Sequence, residues 1–230
     1  MASAAVSAVE PQPLPLEKAS AVEVYESEPE PALPPAPERA PIPYLSENNL
    51  LISSPYTTPD HLLDLTTLDT ANRLLAQALT ILAPIRDDYA TAPYIDSFNW
   101  PAVFEKVHAL AHEEGHRWTR QSFYVVAFRS ILTTDADGNR LSLLDERSHA
   151  EAVASGGLLK YWFGSKNAKR ENLATCVWRS REDARAGGTG PWHAKARGAA
   201  REMYERIEFT TMELVIGEEV GDWEFRAWKA

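Results

Sequence analysis

Behind Asp69, a side chain suited to capping a helix, the apolar residues Leu68, Ala71, Leu75, Ala78, Leu79 and Leu82 recur at helical spacing until Pro84. The spacing predicts an amphipathic helix. A second helix is predicted from Trp100-Pro101, with proline at its first position, burying Val103, Phe104, Val107, Leu110 and Ala111 and stopping at Gly115. Upstream, Leu62 to Thr66 reads as a short strand, after turn-forming residues between Tyr44 and Pro59.

From Ser122 onward the period changes. Ser122–Leu132 is dense in β-branched and aromatic residues and predicts a strand, followed by an Asp135–Asn139 turn. Leu141–Ala154 reads as a helix closed by Gly156-Gly157. Leu158–Gly164 and Leu173–Arg179 read as strands, Ser180–Ala186 as a short helix, Pro191 to about Arg206 as a longer one, and Glu208–Ile216 and Asp222–Trp228 as strands. The order strand, helix, strand, strand, helix, strand predicts an α+β fold: a ferredoxin-like βαββαβ antiparallel sheet with its helices on one face. In this pattern Tyr161 and Phe163 face one way and Leu158 and Trp162 the other, while Leu173, Thr175 and Val177 oppose Ala174, Cys176 and Trp178. Both faces are therefore apolar or aromatic, where a sheet covered on one side shows polar residues on the other. A second sheet from a partner subunit would cover the open face, so a homodimer closing an α/β barrel is expected.

Composition divides the 230 residues in two. Residues 1–43 hold 10 of the 16 prolines, no glycine and no tryptophan, and seven acids against two bases, half of the net charge of −10. Such a stretch cannot bury enough apolar surface to order itself, so it is expected to be a disordered tail preceding one domain over 44–230, with the ferredoxin-like core at about 118–217. One cysteine, Cys176, the lack of a signal-like N-terminus and the lack of a run of roughly 18 apolar residues point to the cytoplasm, with the nucleus open. The acidity argues against a nucleic-acid partner, and no membrane contact is expected.

The run Trp178-Arg179-Ser180-Arg181-Glu182-Asp183-Ala184 closes the third core strand. With the element order, it resembles the dimeric α/β-barrel superfamily of antibiotic-biosynthesis monooxygenases, whose third strand often ends in a similar Trp-x-Ser-x-Glu-Asp-Ala run. SGGLLKYWFG (155–164), NLATCVWRSREDA (172–184) and GPWHAKARGAAREMY (190–204) resemble signature blocks of an uncharacterised, mainly fungal family, and this likeness covers about residues 98–230. The superfamily resemblance implies oxidation of an aromatic substrate without a cofactor, or haem held by a helix histidine, in a cavity between sheet and helices. Carried onto this chain, Tyr161, Trp162, Trp178 and His193 would line that cavity. In haem-degrading members the tryptophan and histidine are well separated along the chain. Here Trp192 and His193 are adjacent and follow a glycine-rich insert, so no cofactor is expected.

His193 is also the candidate acid/base group by position. It shares a helix stripe with Arg197 and Arg201, and residues 160–206 carry 11 Lys+Arg against five Asp+Glu. Tyr161, Trp162, Trp178, Trp192, Arg197 and Arg201 are the expected substrate-binding residues for an aromatic or anionic small molecule. The alternative is a non-catalytic binding or scaffold protein whose aromatic sheet face serves dimerisation. His112-Glu113-Glu114-Gly115-His116 matches the spelling of a zinc-protease helix, with His108 one turn earlier. Gly115 stands where both imidazoles would need a continuous helix, so no metal is assigned.

Overall fold

In the computed structural model, which describes residues 49–229, the Asp69 carboxylate accepts the Asn72 N–H at 2.9 Å and helix α1 runs Thr70–Ala78. A short α2 (Tyr94–Ser97) leads into α3 (Trp100–Glu113), which carries Pro101 as its second residue and stops before Gly115 at φ +63°. Before these, β1 (Leu50–Leu51) and β2 (Leu63–Asp64) form a small antiparallel pair flanking a 3-10 turn at Pro59–His61. The expectations for 1–43 fall outside the described residues.

The core contains β3 (Gln121–Leu132), α4 (Gly138–Ser155), β4 (Leu158–Phe163), β5 (Glu171–Trp178), α5 (Arg181–Gly187), α6 (Pro191–Met203), β6 (Tyr204–Ile216) and β7 (Trp223–Ala227). The five-stranded sheet has the order β4-β5-β3-β6-β7 with every neighbour antiparallel, a ferredoxin-like arrangement extended by β7 at one edge. The strand expected over Leu62–Thr66 is only Leu63–Asp64 and the first helix gives way to a 3-10 turn at Leu79–Ile81, and in the core two helix boundaries shift. Helix α4 begins at Gly138, because the Asp137 carboxylate caps the Asn139 and Arg140 N–H groups. Helix α6 ends at Met203, because β3 pairs with β6 as far back as Leu132↔Tyr204.

Phe123, Val125, Ala127, Leu159, Leu173, Val177 and Leu214 pack on Leu74, Leu75, Trp100, Val103 and Phe104 of α1 and α3. Burying each large side chain contributes about 1.5–3 kcal/mol. On the opposite face Tyr161, Cys176 and Trp178 meet Ala152 of α4, with Tyr124, Val126 and Phe128 partly buried beside them. The cover expected from a partner's sheet is thus supplied by α1 and α3 of the same chain, and the layers are helix, sheet, helix. The facing of β4 also differs from strict alternation. The pairing shifts between Leu158↔Trp178 and Lys160↔Val177, a bulge that brings Leu158 to the same face as Tyr161. No helix among the described residues is long and apolar enough to cross a membrane.

Candidate functional site

The predicted site residues do not meet in one place. Tyr161 and Trp178 lie on the α4 side of the sheet, whereas Trp162 points to the opposite face, its ring edge-on to Phe98 at 4.9 Å and to Tyr89 at 5.5 Å. Alternation along β4 makes that separation unavoidable. Trp178 is 5% exposed, and its ring lies where a side chain on Gly187 would clash at 2.4 Å. This close approach explains the first glycine of the Gly187–Gly190 insert without a phosphate.

His193 opens α6 with Trp192, and Glu151 of α4 binds both. The Glu151 carboxylate accepts the Trp192 N–H at 2.8 Å and the His193 N–H at 3.1 Å, and His193 Nδ1 lies 3.1 Å from the same Oε2. Desolvation raises the Glu151 carboxyl, but these hydrogen bonds outweigh it and hold the group below the usual range. The Trp192 ring sits under Lys195 at 4.1 Å and Arg147 at 5.9 Å. Arg197 donates to the Gly188 carbonyl at 2.8 Å, and Arg201 stands on the exposed side of α6. The polar stripe read from the sequence is therefore largely a fastening between α4, α6 and the glycine-rich insert.

A different set of polar side chains converges between β4, α4 and the segment Ser53–His61. Tyr56 Oη donates to Asp145 Oδ2 and Tyr161 Oη to Asp145 Oδ1, both at 2.5 Å. One helical turn along α4, His149 Nδ1 lies 2.7 Å from His61 Nδ1, and the Tyr56, His61 and Tyr161 rings surround His149 at 4.9–5.2 Å. The edge of β4 is occupied as well, since Tyr161 N–H donates to the Ser53 carbonyl at 3.0 Å. Burial lifts the Asp145 carboxyl above its ordinary range although both tyrosyl hydrogen bonds oppose the shift. Burial, reinforced by His61, pushes His149 down to about 3, so it is a neutral imidazole near pH 7. Tyr56 and Tyr161 are raised by burial and by the adjacent carboxylate, and they remain donors. The arrangement can exchange a proton with a ligand through a carboxylate backed by two phenols.

Next to this cluster the sheet is incompletely covered. Tyr124, Val126 and Phe128 on the central strand β3 are only half-buried, and Phe209 of β6, edge-on to Phe128 at 5.0 Å, is 51% exposed. These side chains form an apolar floor on the same face as Tyr161, whose hydroxyl binds Asp145.

Sequence reasoning found Tyr161 but missed Tyr56, His61, Asp145 and His149. One signal was available. On α4 the inward stripe Leu144, Ser148, His149 and Ala152 contains polar residues where the helical period calls for apolar ones. Tyr56 lies in the stretch read as turn, and His61 between that stretch and the short strand, where no periodicity marks an inward side chain.

The histidines of the protease-like motif lie elsewhere. His108, His112 and His116 line an open cleft of about 440 Å3 with Arg117, Trp118 and Glu219. The helix ends before His116, whose N–H donates to the Ala111 carbonyl at 2.8 Å. Among the described residues no three metal-ligating side chains converge to hold an ion.

Rv0793 from Mycobacterium tuberculosis is similar at 20% identity over 39% of this chain and 91% of its own, with a TM-score of 0.35. SnoaB, a cofactor-independent oxygenase from Streptomyces nogalater, is similar at 12% identity over 40% of this chain and 90% of its own, with a TM-score of 0.33. The UPF0643 protein PB2B2.08 of Schizosaccharomyces pombe is 36% identical over 182 residues, 75% of this chain and 82% of that protein. A family model described as PB2B2.08-like matches residues 52–227, a span holding Tyr56, His61, Asp145, His149 and Tyr161, and the chain belongs to that family.

Proposed function

We propose that the protein binds a small, flat organic molecule on the helix-side floor of the sheet and that Asp145, with Tyr56 and Tyr161, exchanges a proton with it. One observation carries this reading: a half-buried carboxylate held by two tyrosyl hydroxyls stands on the same side of the sheet as the half-buried Tyr124, Val126 and Phe128 and the exposed Phe209. A polar cluster that served packing alone would sit under a closed apolar layer. Cofactor-independent oxygenation of an aromatic compound, the chemistry implied by the resemblance of the strand–helix order, is the specific form this reading takes. His193 acts here as a positioning residue, holding the start of α6 to α4 through Glu151. A single buried cysteine fits a reducing compartment, and the cytoplasm is the proposed location.

Native mass spectrometry of the full chain purified from its own host tests the proposal. The expected result is a retained organic molecule that Val126→Trp, filling the floor, expels while the far-ultraviolet circular dichroism stays unchanged. A chain that carries no molecule and shows no change in affinity for any tested aromatic on Val126→Trp would refute it. The exposure of Phe209 favours one second reading, a homodimer that covers the same floor. In that case the mass is doubled, no molecule is retained, and Phe209→Glu restores the monomer.

A further inference from the structure

We infer that Asp60, His61 and His149 form a relay that leaves His149 Nε2 as a bare acceptor, and that the site takes neutral phenols or enols in preference to carboxylates. The inference rests on the small-molecule reading above and specifies its ligand.

Two Nδ1 atoms 2.7 Å apart require one N–H and one lone pair. The Asp60 carboxylate lies 3.8 Å from His61 Nε2 and favours the proton on that nitrogen. His61 Nδ1 is then the acceptor, His149 Nδ1 the donor, and His149 Nε2 carries an unshared pair. His149 is 4% exposed, and among the described residues its Nε2 has no hydrogen-bond partner. A buried acceptor of this kind calls for a donor.

The chemistry around it selects which donor. Two phenols, Tyr56 and Tyr161, already sit on Asp145, so its carboxylate accepts from a neutral aromatic hydroxyl. Tyr56 also stacks on His61 at 4.6 Å. A ligand that turns Tyr56 aside replaces its ring and brings a hydroxyl to the same acceptors. A carboxylate would instead set a second anion against Asp145. Of the groups nearby, His193 is hydrogen-bonded to Glu151 and the Arg147 guanidinium lies over the Trp192 ring.

The test uses the full chain labelled with 15N, its histidine ring signals assigned through His61→Gln and His149→Gln. Near pH 7, His61 is expected to carry its proton on Nε2 and His149 on Nδ1, and Asp60→Asn to equalise the two tautomers of His61. Added phenol should move the His149 Nε2 resonance and bind about 100-fold more tightly than benzoate, the scale set by a like-charge contact in a partly buried site. A His149 proton on Nε2 overturns the relay, and so does a phenol titration that leaves its signal unmoved. Benzoate binding as tightly as phenol overturns the ligand class. Phenol that shifts Tyr124 and Phe128 but not His149 overturns the relay alone and leaves the small-molecule reading standing.

Discussion

His61 and His149, 88 positions apart, meet Nδ1 to Nδ1 at 2.7 Å, and this contact joins the segment before α1 to the first helix of the ferredoxin-like core. Such a pair has room for one proton between its rings. Protonating His149 would place the charge on its buried ring, at Nε2 and away from this contact, so burial makes folding resist that charge.

Stability should therefore depend on pH with a defined sign. The folded His149 is pushed down to about 3, whereas an unfolded histidine titrates near 6.5, so between these values the unfolded chain binds the extra proton. The contribution of His149 is present above about 6.5 and is lost as pH falls toward about 3, at up to about 1.4 kcal/mol per pH unit. Asp145 acts in the opposite sense, because its raised carboxyl favours the folded state on the acid side. Urea unfolding at pH 7, 5 and 4 should show the loss. It should be shallower in His149→Phe and steeper in Asp145→Asn.

Removing the Tyr56 hydroxyl leaves Asp145 Oδ2 without its donor and frees the segment that lies along β4. Tyr56→Phe should cost about 1–3 kcal/mol. Hydrogen exchange should reveal local opening: the Tyr161 amide, bound to the Ser53 carbonyl at 3.0 Å, should exchange faster while amides of β3 stay protected.

Neighbouring residues on β4 should separate stability from ligand binding. Trp162 packs on Phe98 and Tyr89 under the α1–α3 layer, so Trp162→Ala should cost about 3–5 kcal/mol and leave phenol affinity unchanged where the chain stays folded. Tyr161→Phe should cost less, about 1–3 kcal/mol for the donor lost to Asp145, and should bring a clear loss of affinity. Thermal denaturation and a phenol titration on the same samples check both.

Truncation tests the internal cover of the sheet. A chain beginning at residue 44 should keep the circular dichroism and melting temperature of the full chain. One beginning at residue 117 lacks α1 and α3 and exposes Val125, Ala127, Leu159, Leu173 and Val177 together, and it should aggregate during size-exclusion chromatography. A soluble, folded product from the shorter chain would show that the two helices are dispensable.

The order of the core elements was legible because each is specified locally. The β-branched density of β3, the caps at Asp69 and Asp137 and the stop at Gly115 act through their own backbone neighbours. The excess of apolar residues on both sheet faces was also legible, and it correctly called for a second cover. Its source was not: a periodic helix stripe states that it must be buried and does not say against what. The facing of Leu158 was hidden for a related reason, since a bulge depends on the register with β5 and not on β4 alone.

The candidate site divides along the same line. By itself the sequence determined the antiparallel βαββαβ order, the amphipathic helices before it and the inward side of Tyr161, because hydrophobic period and capping are short-range properties. Only the tertiary structure decided that α1 and α3 seal one face and that Tyr56 and His61 reach Asp145 and His149. Those contacts close loops of more than 80 residues, and a buried polar pair has no periodic signature; what identifies it is the partner that compensates its desolvation.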